Sequence, residues 1–223
     1  YTPEGMASVG YSSFNTFTAK GFVSGPVVPD KVAVSLAGFY EKGDTYYHNL
    51  RTSGPGLSGT DSVLVRGKIR IDPVDGVRLT VTGRYSDRKE SLAIYGAPLN
   101  GNSVARLLDP TAIIPTRPYD AAVNNEATPQ RVKFADVSGR LEIDTETGTL
   151  TSLTGYLNAR TTDVLDADYA YTPNGKGVNY FVSAYDKYFT QELNYASHYE
   201  GQFNFVVGAF YTKGQGGYDP IGV

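Results

Sequence analysis

The sequence contains no cysteine, only two histidines and no long apolar run. Without cysteine, the chain has no thiol nucleophile, no thiolate metal ligand and no disulfide. No apolar stretch reaches the roughly 18 residues that a membrane-spanning helix needs. The formal net charge of −3 at pH 7 lacks the basic excess of a general nucleic-acid-binding surface, so we expect no nucleic-acid partner.

Long stretches of the chain instead alternate between apolar and polar residues. In DSVLVRGKIRI, residues 61–71, the cations Arg66, Lys68 and Arg70 alternate with aliphatic residues and glycine. Successive side chains of a strand point to opposite faces, so this segment predicts a strand with one aliphatic and one cationic face. In a soluble sandwich the aliphatic face would pack on a second sheet, and in an outer-membrane barrel it would meet lipid.

The same alternation predicts nine strands and no helix. The predicted strands cover residues 5–14, 16–25, 31–41, 62–71, 77–86, 133–144, 149–161, 187–197 and 202–212. A strand of about 10 residues, tilted by about 40°, rises about 25 Å, which is the height of the apolar band of an outer-membrane barrel. Strands of soluble proteins are shorter, at about five or six residues. Strand length therefore favours the barrel.

The predicted connections are unequal in length. GPVVPD, DPVDG, TETG and SHYEG are short, and they alternate with long connections at residues 42–61, 87–132 and 162–186. An up-and-down meander places alternate connections at opposite ends, so one end has tight turns and the other has large loops. We therefore predict an all-β, antiparallel, up-and-down transmembrane barrel. Nine strands would leave two edges unpaired, so we expect only part of a larger barrel, ending in a long loop, TKGQGGYDPIGV.

Charged residues on the strands are predicted to face the lumen, because an Arg or Lys on the lipid face costs roughly 2–4 kcal/mol at the midplane. The predicted lumenal residues are Arg66, Lys68, Arg70, Arg78, Arg84, Arg140, Arg160 and Glu142. Pairing of these cations with Asp136, Glu142 and Asp144 is the interpretation that we favour. The alternative is that the basic wall attracts an anionic ligand.

Aromatic residues near strand ends are typical of a membrane interface, and those in long loops are typical of ligand contacts. Phe39, Tyr40, Tyr85, Tyr156, Tyr195, Phe210 and Tyr211 belong to the first group. Tyr46, Tyr47, Tyr169 and Tyr171 belong to the second, and we predict that they bind a small-molecule ligand.

Catalytic and metal-binding patterns are missing. His48 and His198 fall in connections at opposite predicted ends, so they cannot act together. The acidic loop with Asp163, Asp166 and Asp168 does not match an EF-hand. We therefore predict no catalytic residue, no metal site, no cofactor and no enzymatic activity.

Three segments carry a family resemblance. SVGYSSFNTFTAKGFVSGPV followed by DKVAVSLAGFYEKGDTYYHNL resembles the start of the barrel in TonB-dependent receptors, and SVLVRGKIRIDP and QELNYASHYEGQFNFVVGAFY are similar to later parts of that barrel. Phe205 stands where the family often has Trp. The resemblance implies a barrel of about 22 strands with a plugged lumen. It also implies TonB-driven import of a scarce nutrient, of the siderophore-iron, vitamin or oligosaccharide class.

The resemblance places residues 1–223 in the N-terminal part of such a barrel, without a plug domain or TonB box. It implies the outer membrane of a Gram-negative bacterium as the location. The implied partners are outer-membrane lipid, a small-molecule ligand, and the plug and TonB through the rest of the receptor. A passive porin or adhesin barrel shares every strand feature, and a soluble β-sandwich binding module is the third alternative.

Overall fold

The computed structural model describes residues 2–51, 57, 59–91, 101–123 and 129–222, and its main feature is a nine-stranded antiparallel sheet. The strands of this sheet are β1 (Glu4–Ser12), β2 (Thr16–Val28), β3 (Val32–Gly43), β5 (Thr60–Val74), β6 (Val77–Ser91), β8 (Pro129–Thr145), β9 (Gly148–Asp166), β10 (Asn179–Ser197) and β11 (Val206–Gly222). Strand order in the sheet follows the chain, as the predicted up-and-down meander requires.

In the described residues, the long connections contain three short elements. β4 (His48–Asn49) and β7 (Asp120–Ala121) form a small parallel pair apart from the main sheet, and α1 (Ala105–Leu108) is a single helical turn. The prediction of no helix was therefore wrong for this one turn. Among the described residues, no helix is long and apolar enough to cross a membrane.

The prediction of nine strands is confirmed, but several strands run further than predicted. β9 and β10 shorten the predicted 162–186 loop to residues 167–178. The predicted final loop, TKGQGGYDPIGV, was wrong, because β11 continues to Gly222. Glycine-rich backbone there is held by β10, with Lys213 opposite Phe189 and Tyr218 opposite Ala184. In the described residues, β1 and β11 are the two edges and the sheet is open.

The polar face of the sheet is its concave face. Arg66 stands opposite Arg84 on the neighbouring strand, and Arg84 stands opposite Asp136, so the charged positions share one face. A cavity of about 440 Å³ is lined by both Lys68 on β5 and Phe210 on β11. These strands are not neighbours, so the sheet must curl around this face to bring both residues to one cavity.

The convex face is apolar and exposed. Its large exposed aliphatic residues are Val9, Val23, Val34, Leu36, Val65, Val137, Leu193 and Val207. A soluble protein rarely leaves so continuous an apolar surface uncovered. One slip of register would exchange the two faces, so this contrast fixes the strand pairing.

Aromatic rings on the convex face form a row across the sheet, close to the middle of most of the strands that carry them rather than at their ends. We call Tyr40, Tyr85, Tyr156, Phe189 and Tyr211 the aromatic row. Tyr195 is also convex, but it lies near the short-turn end of β10. Phe39 and Phe210 point to the concave face, so their predicted place at a lipid interface was wrong. The two exceptions arise because adjacent residues in a strand face opposite sides.

Candidate ligand site at the long-loop end

Three exposed aromatic rings and one half-buried ring meet at the end of the sheet where the long connections lie. The ring centroids of Tyr46 and Tyr47 are 4.5 Å apart, and Tyr119 is 6.0 Å from Tyr46 and 6.2 Å from Tyr47. Phe14, in the β1–β2 turn, lies 5.9 Å from Tyr46. We call these four residues the aromatic cluster. Exposed rings from three separate connections form a surface on which a planar or sugar ligand can stack.

Backbone pairing between two loops holds the aromatic cluster together. The amide of His48 donates to the carbonyl of Tyr119 at 2.7 Å, and the amide of Leu50 donates to that of Ala121 at 2.8 Å. The His48 Nδ1 lies 3.4 Å from the Asp120 carboxylate. Ala121 and Val123 form a small buried core against which Tyr47 and Leu57 pack. The cluster therefore rests on ordered backbone.

Two rings of the cluster stand on unusual backbone. Phe14 has a φ of 62° and Tyr119 has a φ of 69°, in the left-handed region that bulky residues rarely adopt. Their side chains are 54% and 64% exposed, so burial does not account for the strain. Strain of this kind persists where the surroundings over-determine it, and it is concentrated at ligand clamps and active sites.

Tyr171 lies in a second contact rather than in the aromatic cluster. The guanidinium of Arg51 lies 5.4 Å from the centre of the Tyr171 ring, at a distance typical of a cation–π contact. Tyr171 and Ile113 exchange backbone hydrogen bonds of 2.8 and 2.9 Å, which tie the β9–β10 loop to the β6–β8 loop. The structure thus brings Tyr46 and Tyr47 together and places Tyr171 beneath Arg51.

Two buried aspartates hold these two loops by accepting backbone hydrogen bonds. Asp109 accepts from the Thr111 hydroxyl at 2.6 Å, the Thr111 amide at 2.9 Å and the Asn174 amide at 3.1 Å. Asp168 accepts from the amides of Ala170 at 3.2 Å and Val178 at 2.8 Å. The hydrogen bonds from Thr111, and then that from Asn174, lower the pKa of Asp109 below its ordinary value. Asp109 and Asp168 therefore stabilise the conformation of these two loops.

The acidic segment with Asp163, Asp166 and Asp168 lies at the end of β9 and in the loop that follows it. Asp166 and Asp168 are buried, and Tyr169 has a left-handed φ of 51°. Across the described residues, no group of three or more His, Cys, Asp or Glu side chains is arranged to hold a metal ion. His48 belongs to the loop end, whereas the His198 amide bonds Thr147 at the short-turn end.

Most arginines on the concave face are paired with a carboxylate. Arg84 lies 2.8 Å from Asp136, and Arg140 lies 2.7 Å from Glu142. Arg78 lies 3.7 Å from Glu142 and 3.5 Å from Asp72, which also pairs with Arg70 at 2.9 Å. These pairs are partly exposed, so each contributes little to stability. Their effect is to neutralise most of the concave wall.

Arg66 and Lys68 remain available to an anion. Within the described part of the chain, neither has a carboxylate partner. Together with Arg70, Ser24 and Ser35 they line a cavity of about 310 Å³. Arg160, by contrast, is not on this wall. It stands opposite Lys133 and Tyr185 on the convex face, so its predicted lumenal position was wrong.

Sequence reasoning missed three residues of the candidate site. Phe14 was assigned to a strand, although β1 ends at Ser12. Tyr119 and Arg51 lie in long connections without periodicity, and their partners are distant in sequence. Only the TRPYD turn around Tyr119 offered a signal, because proline and aspartate favour a tight bend there.

Comparison with solved structures identifies the architecture. The sheet matches the crystal structure of the ferric yersiniabactin uptake receptor FyuA from Yersinia pestis with a TM-score of 0.69 and 16% sequence identity. The fold is an antiparallel up-and-down sheet similar to part of the β-barrel of that receptor. The match covers 98% of this chain and 32% of the receptor, so the chain spans about a third of that protein. No protein-family model and no curated protein sequence matches the chain.

Proposed function

We propose that residues 1–223 form part of the barrel wall of a TonB-dependent receptor that imports a scarce nutrient across the outer membrane of a Gram-negative bacterium. The carrying observation is the two-faced sheet: its concave face holds Arg84, Asp136 and other charged pairs, whereas its convex face exposes aliphatic residues. An outer-membrane barrel has this inverted arrangement, with a polar interior and an apolar exterior. The role is transport rather than catalysis.

The aromatic cluster is proposed as the first contact of the ligand. Tyr46 and Tyr119 offer exposed rings at the end where all three long connections lie. Siderophore-iron, vitamin and oligosaccharide ligands all present planar or sugar surfaces that rings can bind. FyuA takes up ferric yersiniabactin, which favours the ferric chelate class. The unpaired Arg66 and Lys68 would attract an anionic chelate once it enters the lumen.

The proposal implies partners in the complete receptor. A plug domain inside the barrel would cover the concave wall, and TonB would deliver energy through it. Outer-membrane lipid would cover the convex face, including Val65 and Val137. Residues 1–223 would then act as one partial barrel domain that contains no plug.

Uptake by the full-length protein tests this function. Strains that carry it, with and without TonB, are given radiolabelled ferric siderophores, a corrinoid vitamin or maltooligosaccharides as the limiting nutrient. We expect accumulation of one compound only when both the protein and TonB are present. Accumulation that persists without TonB, together with open conductance in a planar bilayer, would instead identify a passive porin. A protein recovered from the soluble fraction without detergent would identify a soluble β-sandwich module.

Adjacent substitutions test which face meets lipid. Leu193→Arg places a charge on the convex face, four residues below Phe189 towards the short turns, and should destabilise the full-length protein in bilayers by roughly 2–4 kcal/mol. Asn194→Arg, one residue away on the concave face, should have a much smaller effect. Urea unfolding in lipid vesicles measures both variants. Equal destabilisation of the two would contradict a lipid-facing convex surface.

A further inference from the structure

On the long-loop side of the aromatic row, the convex face changes from apolar to polar. On each strand that contributes a ring, the next convex position towards the long loops is charged or strongly polar. Those positions are Lys42, Asp87, Asn158, Lys187 and Lys213. Aromatic rings of a barrel lie at the headgroup level of the bilayer. The charged positions therefore lie where the polar headgroups of the lipids on the long-loop side would be.

At the level of these polar residues, positive and negative charges balance each other only on the strands from β3 to β8. On β3, β5 and β6, Asp61 stands between Lys42 and Lys89. Asp87 lies 2.6 Å from Arg131 and 3.5 Å from Lys133, so it neutralises part of β8 as well. The sector from β3 to β8 therefore compensates most of its cations from within.

In the described residues, the cations of the sector from β9 to β11 make no such ion pairs. Arg160 and Lys187 are exposed on the convex face, with Lys213 one strand further. Among the described residues, none of the three has a carboxylate within ion-pair distance. This sector presents uncompensated positive charge directly beyond Tyr156 and Phe189.

A groove lies within this sector. Its volume is about 650 Å³, and Asn158, Arg160, Tyr185, Lys187 and Gln215 line it on the convex face. The guanidinium and ammonium groups supply charge, and the amides and phenol supply neutral donors. Asp219 lines the same groove, but the two cations outweigh its single carboxylate. Arginine in particular matches the paired oxygens of a phosphate with two parallel hydrogen bonds.

We propose that this groove binds the phosphate headgroup of an anionic lipid in the leaflet on the long-loop side of the membrane. The inference rests on the proposed function, because it requires the convex face to meet lipid. The acyl chains of the lipid would lie over Tyr156 and Phe189, below the groove, and the phosphate would contact Arg160 and Lys187. A soluble anion would satisfy the cations but would leave those rings uncovered. Charge and apolar surface together therefore indicate a lipid.

Lipid retention by the full-length protein tests the proposal. The protein, purified in a neutral detergent, is mixed with phosphatidylglycerol or with phosphatidylcholine of the same acyl chains. Native mass spectrometry then measures the lipid that stays bound. We expect the Arg160→Gln/Lys187→Gln variant to bind phosphatidylglycerol about thirty-fold more weakly than the parent, because each cation near a membrane surface contributes about a five-fold effect. Binding of phosphatidylcholine should not change.

The matched control removes the same two residue types from the short-turn end. Lys31→Gln/Arg78→Gln lowers the net charge equally but leaves the groove intact. It should retain the parent's preference for phosphatidylglycerol. Equal loss in both double variants would overturn the proposal in favour of a general charge effect. If the groove double variant does not fold, Lys187→Gln alone should weaken binding about five-fold, and Arg160→Lys should keep most of the preference.

Two further outcomes separate this inference from the proposed function. Displacement of phosphatidylglycerol by an equal concentration of inorganic phosphate would identify a soluble anion as the ligand and would overturn the lipid assignment. Fractionation of cells tests whether the protein lies in the outer membrane, as the proposed function requires. A protein absent from the outer membrane would overturn both proposals. A protein found there, whose groove variants bind phosphatidylglycerol as the parent does, would overturn only this one.

Discussion

The two ends of the sheet are built on different principles. At the short-turn end, neighbouring strands are joined directly, and Gly76 completes the β5–β6 turn with a φ of 76°. At the long-loop end, order comes from contacts between distant segments, such as Tyr46 with Tyr119 and Asp109 with Asn174. Local turns fix which residues pair, whereas the loops bring chemically useful groups together. Loops on a rigid scaffold commonly carry recognition in this way.

The largest expected difference between the ends is in ligand binding. We expect the Tyr46→Ala/Tyr119→Ala variant to bind the ligand of the proposed receptor about thirty-fold more weakly, since each stacking ring contributes about five-fold. Tyr195→Ala removes a tyrosine near the short-turn end and should leave binding unchanged. Saturation of uptake in whole cells measures the affinity. A loss of affinity in Tyr195→Ala as large as that in the loop variant would contradict the assignment of ligand binding to the long-loop end.

Removing the conformational freedom of a turn should affect stability rather than binding. Gly76→Ala forces a side chain into the left-handed region and should destabilise the full-length protein by about 1–2 kcal/mol. Gly201→Ala is the control, because that glycine lies in a turn with ordinary φ and open space around it. Urea midpoints in lipid vesicles compare the two. If Gly76→Ala also lowered ligand affinity, the short-turn end would affect binding as well as stability, and the contrast between the two ends would be wrong.

Alternation in the sequence was sufficient to predict the strands but not the loop end. Arg66, Lys68 and Arg70 repeat with a period of two, and this pattern depends only on neighbouring residues. Arg160 was placed on the wrong face, although it lies four residues from Tyr156 and so must share its face within one strand. Period counting alone would have corrected this error.

The aromatic cluster could not be predicted in the same way. Tyr119 and Tyr46 are separated by β5, β6 and two long connections, and the β4–β7 pairing brings them together. Glycine content also misled the prediction for β11, because its backbone is held by β10 rather than by its own propensity. Contacts between distant segments are not encoded in local periodicity.

A third difference concerns the aspartates of the two ends. Asp109→Asn replaces an acceptor by an amide group and weakens the bonds from Thr111 and Asn174, so amide exchange in the two joined loops should accelerate. Asp30, in the β2–β3 turn, has a φ of 57° that asparagine also tolerates, so Asp30→Asn should change little. Hydrogen exchange followed by mass spectrometry tests both. Unaltered protection of residues 109–114 and 171–175 in Asp109→Asn would show that the loops are held by other contacts.

The smallest effect should be an acid dependence confined to the loop end. Because hydrogen bonds from Thr111 and Asn174 lower the pKa of Asp109 below its ordinary value, the ionised form stabilises the folded loops. That contribution is fully present above the unfolded pKa and is lost as the pH falls through the lower, folded pKa. Protection factors for the Thr111 and Asn174 amides should therefore decrease in acid, while those of β5 and β6 stay constant. Asp109→Asn should abolish this local pH dependence. A parallel decrease in the strands would mean that acid loosens the whole sheet and that the two ends respond as one unit.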